Sequence, residues 1–88
     1  MLVGDVTAAR TSLARALQIR QAALPPTSLE IARSLRWLGE AHLAAGATAE
    51  ARELLTRAVA SLSAGQAEAA ELTATRDVLA RAEAQPAG

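Results

Sequence analysis

Two stretches of this chain, GDVTAARTSLARAL starting at Gly4 and GATAEARELLTRAV starting at Gly46, are versions of one another. Gly4, Ala9, Leu13, Arg15 and Ala16 recur, in order and at a fixed offset of 42 residues, as Gly46, Ala51, Leu55, Arg57 and Ala58. A repeat of that length means stacked helical units, because one unit cannot bury its apolar face alone and must cover it with a neighbour. A second correspondence is looser: Ile31, Leu35 and Leu38 meet Leu72, Arg76 and Leu79 at an offset of 41. The last helix has thus lost one linker residue and one core leucine, as expected of a helix that closes an end.

The punctuation between these stretches divides the chain into four helices, about 5–24, 28–45, 48–63 and 66–84, in a single domain spanning 1–88. Met1 to Gly4 reads as a lead-in, and Asp5 stands where an N-cap carboxylate accepts from free amides of the first turn. Val6, Ala9, Leu13, Ala16 and Leu17 then recur at three- and four-residue spacing, the pattern of an amphipathic helix. That helix must stop near Leu24, since the residue before a proline is pushed out of the α region and Pro25-Pro26 follows. Thr27 and Glu30 form a Thr-x-x-Glu capping box for the second helix. Ile31, Leu35, Leu38 and His42 form its stripe, flanked by Ala41 and Ala45, and Gly46 supplies the left-handed residue after its end.

The third helix buries Ala51, Leu54, Leu55, Ala58, Val59 and Leu62, with Glu50 in its first turn, and Ser63-Ala64-Gly65 closes it. Ala69, Leu72, Val78, Leu79 and Ala82 give the fourth helix a thinner apolar face, and Gln85-Pro86-Ala87-Gly88 forms a frayed tail. Glu53–Arg57 and Asp77–Arg81 have the i, i+4 spacing of helical ion pairs. No strand-like alternation occurs. The expectation is an all-α fold of antiparallel helix–turn–helix units, because connections this short force neighbouring helices to run antiparallel.

Composition narrows the function. The chain is 51% hydrophobic with Trp37 its one aromatic residue, so the core must be built from Leu, Ala and a few Val and Ile. Nine Lys+Arg, all of them arginine, balance nine Asp+Glu. A net charge of zero removes the electrostatic footprint of a nucleic-acid or membrane-surface binder. With no cysteine there is no disulfide framework, thiolate metal site or Cys nucleophile, and a reducing cytoplasm is the default compartment. No apolar run is long enough to span a membrane, and no basic-then-apolar N-terminal signal peptide is present.

The residues Leu38-Gly39, His42, Gly46, Ala51, Leu55 and Ala58 follow the order Leu-Gly, large, Gly, Ala, large, Ala. On these the chain resembles the tetratricopeptide repeat, in the long-helix sub-type with a 42-residue period found in kinesin light chains and many bacterial proteins. The segment Ala23 to Ala32 is similar to that sub-type's inter-repeat linker, and the resemblance extends from Gly4 to about Arg81. It implies a short right-handed α-solenoid with one complete repeat between two half-repeats. Gly39 and Ala51 are small where two helices of a unit cross, and Ala58 is small where the next unit stacks. The chain departs from the family in carrying His42 where Tyr or another large aromatic is usual, Ser63 where Pro is usual, and Trp37 where Asn often lines the concave groove.

The resemblance places Arg33, Arg36, Trp37 and Glu40 on the concave face, with Ala74, Asp77 and Arg81 at the corresponding positions of the fourth helix. An arginine pair one turn apart can hold an acidic peptide or a C-terminal carboxylate. The plainer expectation is a solvated helix face in which Arg36 and Glu40 neutralise each other. For Trp37 the plainer expectation is burial against a neighbouring helix, since tryptophan is highly buried on average. Its functional alternative is an anchor in the groove, tryptophan and arginine being prominent among binding hot spots.

His42 has no Cys, second His or carboxylate at ligand spacing, so core packing with one hydrogen bond is its expected role. No triad, nucleophile elbow or phosphate loop can be assembled, and neither a cofactor nor enzyme activity is expected. The resemblance implies a non-catalytic scaffold that binds a peptide or partner protein. The alternative is a homo-oligomer, formed because the first helix lacks its own partner and leaves the Leu13 and Leu17 side, or its flank, open.

Overall fold

The computed structural model describes residues 3–25 and 28–85. Thr27, Pro26 and the Pro86 to Gly88 tail lie outside these, as do the Met1 and Leu2 part of the lead-in and the side chains of Asp5 and Val6. The described chain forms α1 (Val3–Ala23), α2 (Leu29–Ala44), α3 (Thr48–Ala64) and α4 (Ala69–Ala84). Among the described residues no strand occurs.

The ends of the helices explain where the expected bounds hold and where they shift. Helix α1 is already helical at Val3, so Asp5 lies inside it and is not its N-cap. Helix α2 is capped by Ser28, whose extended backbone lets its hydroxyl accept from the Glu30 N–H at 3.2 Å. One residue later than the expected Thr27, this cap does the same work on an orphan amide. At the other end Gly46 takes φ of +81°, with Gly46 N–H donating to Leu43 O at 3.1 Å and Ala47 N–H to His42 O at 2.8 Å. This paired bonding is the Schellman turn expected of a left-handed glycine.

The same turn recurs after α3 with a different residue at its centre. Gln66 N–H donates to Ser63 O and Ala67 N–H to Leu62 O, and it is Gln66, at φ of 57°, that takes the left-handed conformation. Gly65 stays on the ordinary side at φ of −82°. Because residues 65 to 67 are committed to this turn, α4 begins at Ala69, three residues later than the expected start at Gln66.

Two apolar clusters hold the helices together. Leu17 of α1, Ile31, Leu35 and Leu38 of α2 and Ala58 of α3 form the first, joined by the partly buried Leu13, Ala14, Leu24 and Leu54. Ala51 and Leu55 of α3 with Val78 and Ala82 of α4 form the second, bordered by Leu43 and Leu79. Gly39 is the contact through which α2 reaches α3. A methyl added there would lie 2.8 Å from Leu55 Cγ and 3.5 Å from Ala51 O.

Leu17 is buried and Leu13 half-buried, so of the two expected places the Leu13 and Leu17 side itself is covered, and the open α1 surface is one carrying Ile19, which is 62% exposed. Ala9 is also exposed and Ala16 half-buried, whereas their repeat equivalents Ala51 and Ala58 are fully enclosed. The physical reason is that α3 sits between α2 and α4 while α1 packs on α2 alone.

Two buried hydroxyls strengthen the looser repeat. Ser34 donates to Glu30 O and Thr75 to Glu71 O, each at 2.9 Å and each fully buried. Both residues of the second pair lie 41 positions after those of the first, so α4 is a true counterpart of α2. It differs where it faces outward: Arg76 and Ala80, both exposed, hold the places that Leu35 and Gly39 fill in α2.

Candidate functional site

The α2 surface away from α1 and α3 carries four of the five expected contact residues. Trp37 lies two residues, about 200° of helical rotation, from both Leu35 and Gly39. Its indole therefore points away from the helix's buried side, and the residue is 45% exposed. Burial against a neighbouring helix, the plainer expectation, is not what the structure shows. The stripe and its flanking small residues already fill both interfaces of α2, leaving no interior place for a side chain that size.

Arg33, one turn before Trp37, is not a free groove cation. Its Nε donates to Glu71 Oε1 at 2.7 Å and its Nη2 to Glu71 Oε2 at 3.1 Å, a two-point bridge from α2 to the first turn of α4. Such a fork fixes orientation as well as distance. The hydrogen bond from Arg33 holds the Glu71 carboxyl below its ordinary 4.5, against an opposing desolvation effect. Glu71 in turn raises the Arg33 pKa above its ordinary value. The bridge joins residues 38 apart in sequence, and only the packing of α2 beside α4 brings them together.

Arg36 and Glu40 pair along α2 at 3.4 Å, the mutual neutralisation expected from their spacing. Arg81 is exposed on α4, and among the described residues no hydrogen bond or ion pair ties it to the α2 group. Asp77 is exposed too, and neither Asp77–Arg81 nor Glu53–Arg57 closes into the ion pair their spacing suggested. The face thus presents an exposed indole between a fixed Arg–Glu clamp and a local Arg–Glu pair, with Arg81 on the neighbouring helix.

His42 departs from its expected role. It is half-buried at the end of α2, but its Nδ1 is shut off from solvent and has no hydrogen-bond partner. The Nε of Arg10 on α1 is in the same condition. The two residues line one cleft between α1 and α2, together with Thr7, Thr11 and Ala14. A larger cleft of about 450 Å³ opens among α1, α2 and α3, with Leu24, Ile31, Leu35 and Arg57 among the residues that line it. Ile31 and Leu35 are already almost wholly covered, so filling this seam would bury little more apolar surface. Among the described residues, no three His, Cys, Asp or Glu side chains are grouped to hold a metal ion. No helix is long and apolar enough to cross a membrane.

The close α2–α3 crossing through Gly39, the two Schellman turns and the recurring buried hydroxyls define an α-helical repeat protein. A tetratricopeptide-repeat family model matches residues 1–64, and the chain belongs to that family. The match ends with α3, so the kinship of α4 rests on the Glu71–Thr75 pair and the 41-residue offset. No curated protein and no solved structure matches the chain. Members of this family generally mediate protein–protein interaction and are typically non-catalytic.

Proposed function

We propose that the chain binds an extended or helical segment of a partner protein on its α2–α4 face, with Trp37 as the anchor. The observation that carries this reading is the exposure of the chain's one aromatic residue on a face otherwise made of charge pairs. Tryptophan in such a setting gives a large contact area at low entropic cost, and its indole N–H offers a hydrogen bond. Arg36 and Arg81 are the cations best placed to add carboxylate contacts. Arg33 acts mainly by holding α2 and α4 at a fixed spacing through Glu71.

The test is selection from a random peptide library on the wild-type chain, followed by counter-screening on Trp37→Ala. Peptides that the wild type enriches should bind the variant at least about tenfold more weakly, the loss typical of a hot-spot residue. Enriched peptides that bind both proteins equally would remove Trp37 from the site. Reversing Arg33 is a poor test, because it sets two carboxylates against each other at Glu71 and perturbs the fold.

A second reading, self-association through α1, is favoured by the exposure of Ile19, the largest apolar side chain on the uncovered part of that helix. Light scattering over a hundredfold concentration range would show a mass that rises with concentration and falls back to the monomer in Ile19→Glu. A monomer at every concentration would leave the peptide-binding reading alone.

A further inference from the structure

Helix α3 is covered on two sides, by α2 and by α4, whereas its repeat equivalent α1 packs on α2 alone. That single contact corresponds to the α3–α4 side. The side that α1 leaves uncovered is therefore the equivalent of the one on which α3 meets α2. There, Ala58 clusters with Ile31, Leu35 and Leu38, while Leu55 and the Ala51 carbonyl face Gly39. The counterparts in α1 lack this cover: Ala9 is exposed and Leu13 and Ala16 are half-buried, where Ala51, Leu55 and Ala58 are fully enclosed. Equivalent side chains at equivalent spacing take the same kind of neighbour, so the repeat itself specifies what fits over α1.

Charge on the first turn of α2 supports the same specification. The Ser34–Glu30 and Thr75–Glu71 hydrogen bonds put α2 and α4 in register at an offset of 41, which makes Glu30 the counterpart of Glu71. Glu71 accepts from both Nε and Nη2 of Arg33 on the helix beside it. Glu30 is exposed and, among the described residues, closes no ion pair, and Arg33 one turn along is committed to Glu71. A helix laid on α1 as α2 lies on α3 brings its own equivalent of Arg33 to Glu30.

We propose that the uncovered edge formed by α1 and the first turn of α2 is a docking site for one amphipathic helix of a partner protein. The helix that fits carries an arginine, a leucine two residues on, and a leucine–glycine pair five and six residues on, the spacing of Arg33, Leu35, Leu38 and Gly39. Glycine lets its backbone approach Leu13 as Gly39 approaches Leu55, and arginine complements Glu30 by a two-point bond. A second copy of the chain does not present this set. Leu35, Leu38 and Gly39 of its α2 are already buried, and its α4 has Ala74, Arg76 and Ala80 in the places of Arg33, Leu35 and Gly39. The edge is separate from the α2–α4 groove, so either can bind without the other, and it gives α1 a different occupant from the self-association reading.

The test titrates the isotope-labelled full chain with a synthetic peptide of the α2 sequence, Ser28 to Ala45, carrying Trp37→Gln so that no indole contributes. The expected result is a saturable set of NMR shifts centred on Ala9, Leu13 and Ala16. Gly39→Val in the peptide should weaken binding roughly tenfold, because the added side chain meets Leu13. Arg33→Glu in the peptide should weaken it roughly threefold or more. Glu30→Arg in the chain should reverse that preference, binding the Arg33→Glu peptide better than the parent. The Gly39→Val comparison leaves the protein unchanged, so it stands even if the Glu30 variant folds poorly. No saturable shift up to about 1 mM peptide, shifts centred elsewhere, or equal binding of all the peptides would overturn the proposal. So would a chain whose mass in light scattering rises with concentration and is not lowered by the peptide, which would assign this edge to a second copy.

Discussion

Replacing Leu55 by alanine should remove about 3–4 kcal/mol of stability, from the upper part of the range for buried leucines. Leu55 is 0% exposed, faces Gly39 at the α2–α3 crossing, and belongs to the cluster that attaches α4. Loss of its side chain leaves a cavity that touches three helices, and none of them can close it without shifting the other two. A domain of this size has on the order of 4–13 kcal/mol in total. The variant should therefore melt roughly 15–25 °C lower and show a reduced urea midpoint at unchanged slope. Leu13 offers an internal comparison, since it holds the same position in the repeat but is only half-buried. Leu13→Ala should cost about 1 kcal/mol, in proportion to the smaller area it covers. Equal losses at the two leucines would mean that α1 is covered in solution by something other than α2.

Gly39→Val should cost about 2–3 kcal/mol, and its origin is the reverse of a cavity. A Cβ at this position would come within 2.8 Å of Leu55 Cγ and 3.0 Å of Leu55 Cδ2. Leu55 is itself enclosed, so it cannot yield without disturbing Ala51, Val78 and Ala82. Two effects compete when the substituent is only a methyl. Alanine gains about 1 kcal/mol over glycine in a helix interior, while overpacking costs about 1–3 kcal/mol, so Gly39→Ala should be close to neutral or mildly destabilising. Valine adds two carbons and stiffens the side chain, and the balance turns clearly unfavourable. Combining Gly39→Val with Leu55→Ala should cost less than the two changes added, because each supplies what the other lacks. A double-mutant cycle by urea unfolding checks this, and strict additivity would show that the two positions do not meet.

Local signals located α2 and α3 to within a residue or so, because Gly46, Leu38-Gly39 and the Ala51–Leu55–Ala58 spacing each act through near neighbours. The start of α4 was missed for a reason equally local but less visible: Gln66, a residue with no marked turn preference, takes the left-handed conformation in place of Gly65. At the candidate site the residue types on the α2 face were legible from helical geometry, and the Arg36–Glu40 pair from its spacing. Neither the Arg33–Glu71 bridge nor the Arg10–His42 cleft could be found that way. Both join residues from separate helices, and which charges meet depends on how far one helix is displaced along another. The offset of 41 contained part of the answer, since it sets Glu71 at the place of Glu30, one turn before the counterpart of Arg33. Trp37 was misjudged because tryptophan's average burial was applied to a helix whose interfaces were already full.

The exposed side of α4 gives the molecule a direction. A further helix could settle against α4 only by meeting Ala80 where the complete repeat has Gly39, and Arg76 where it has Leu35. The arginine would have to leave water, while the added methyl by itself would cost little, as at Gly39→Ala. Growth of the stack at that end is therefore disfavoured, chiefly by Arg76. At the α1 end the exposed side chains among the described residues are mostly small, with Ile19 added to them. A new repeat, whether supplied by evolution or by an engineer, would therefore stack against α1 at a lower cost than against α4.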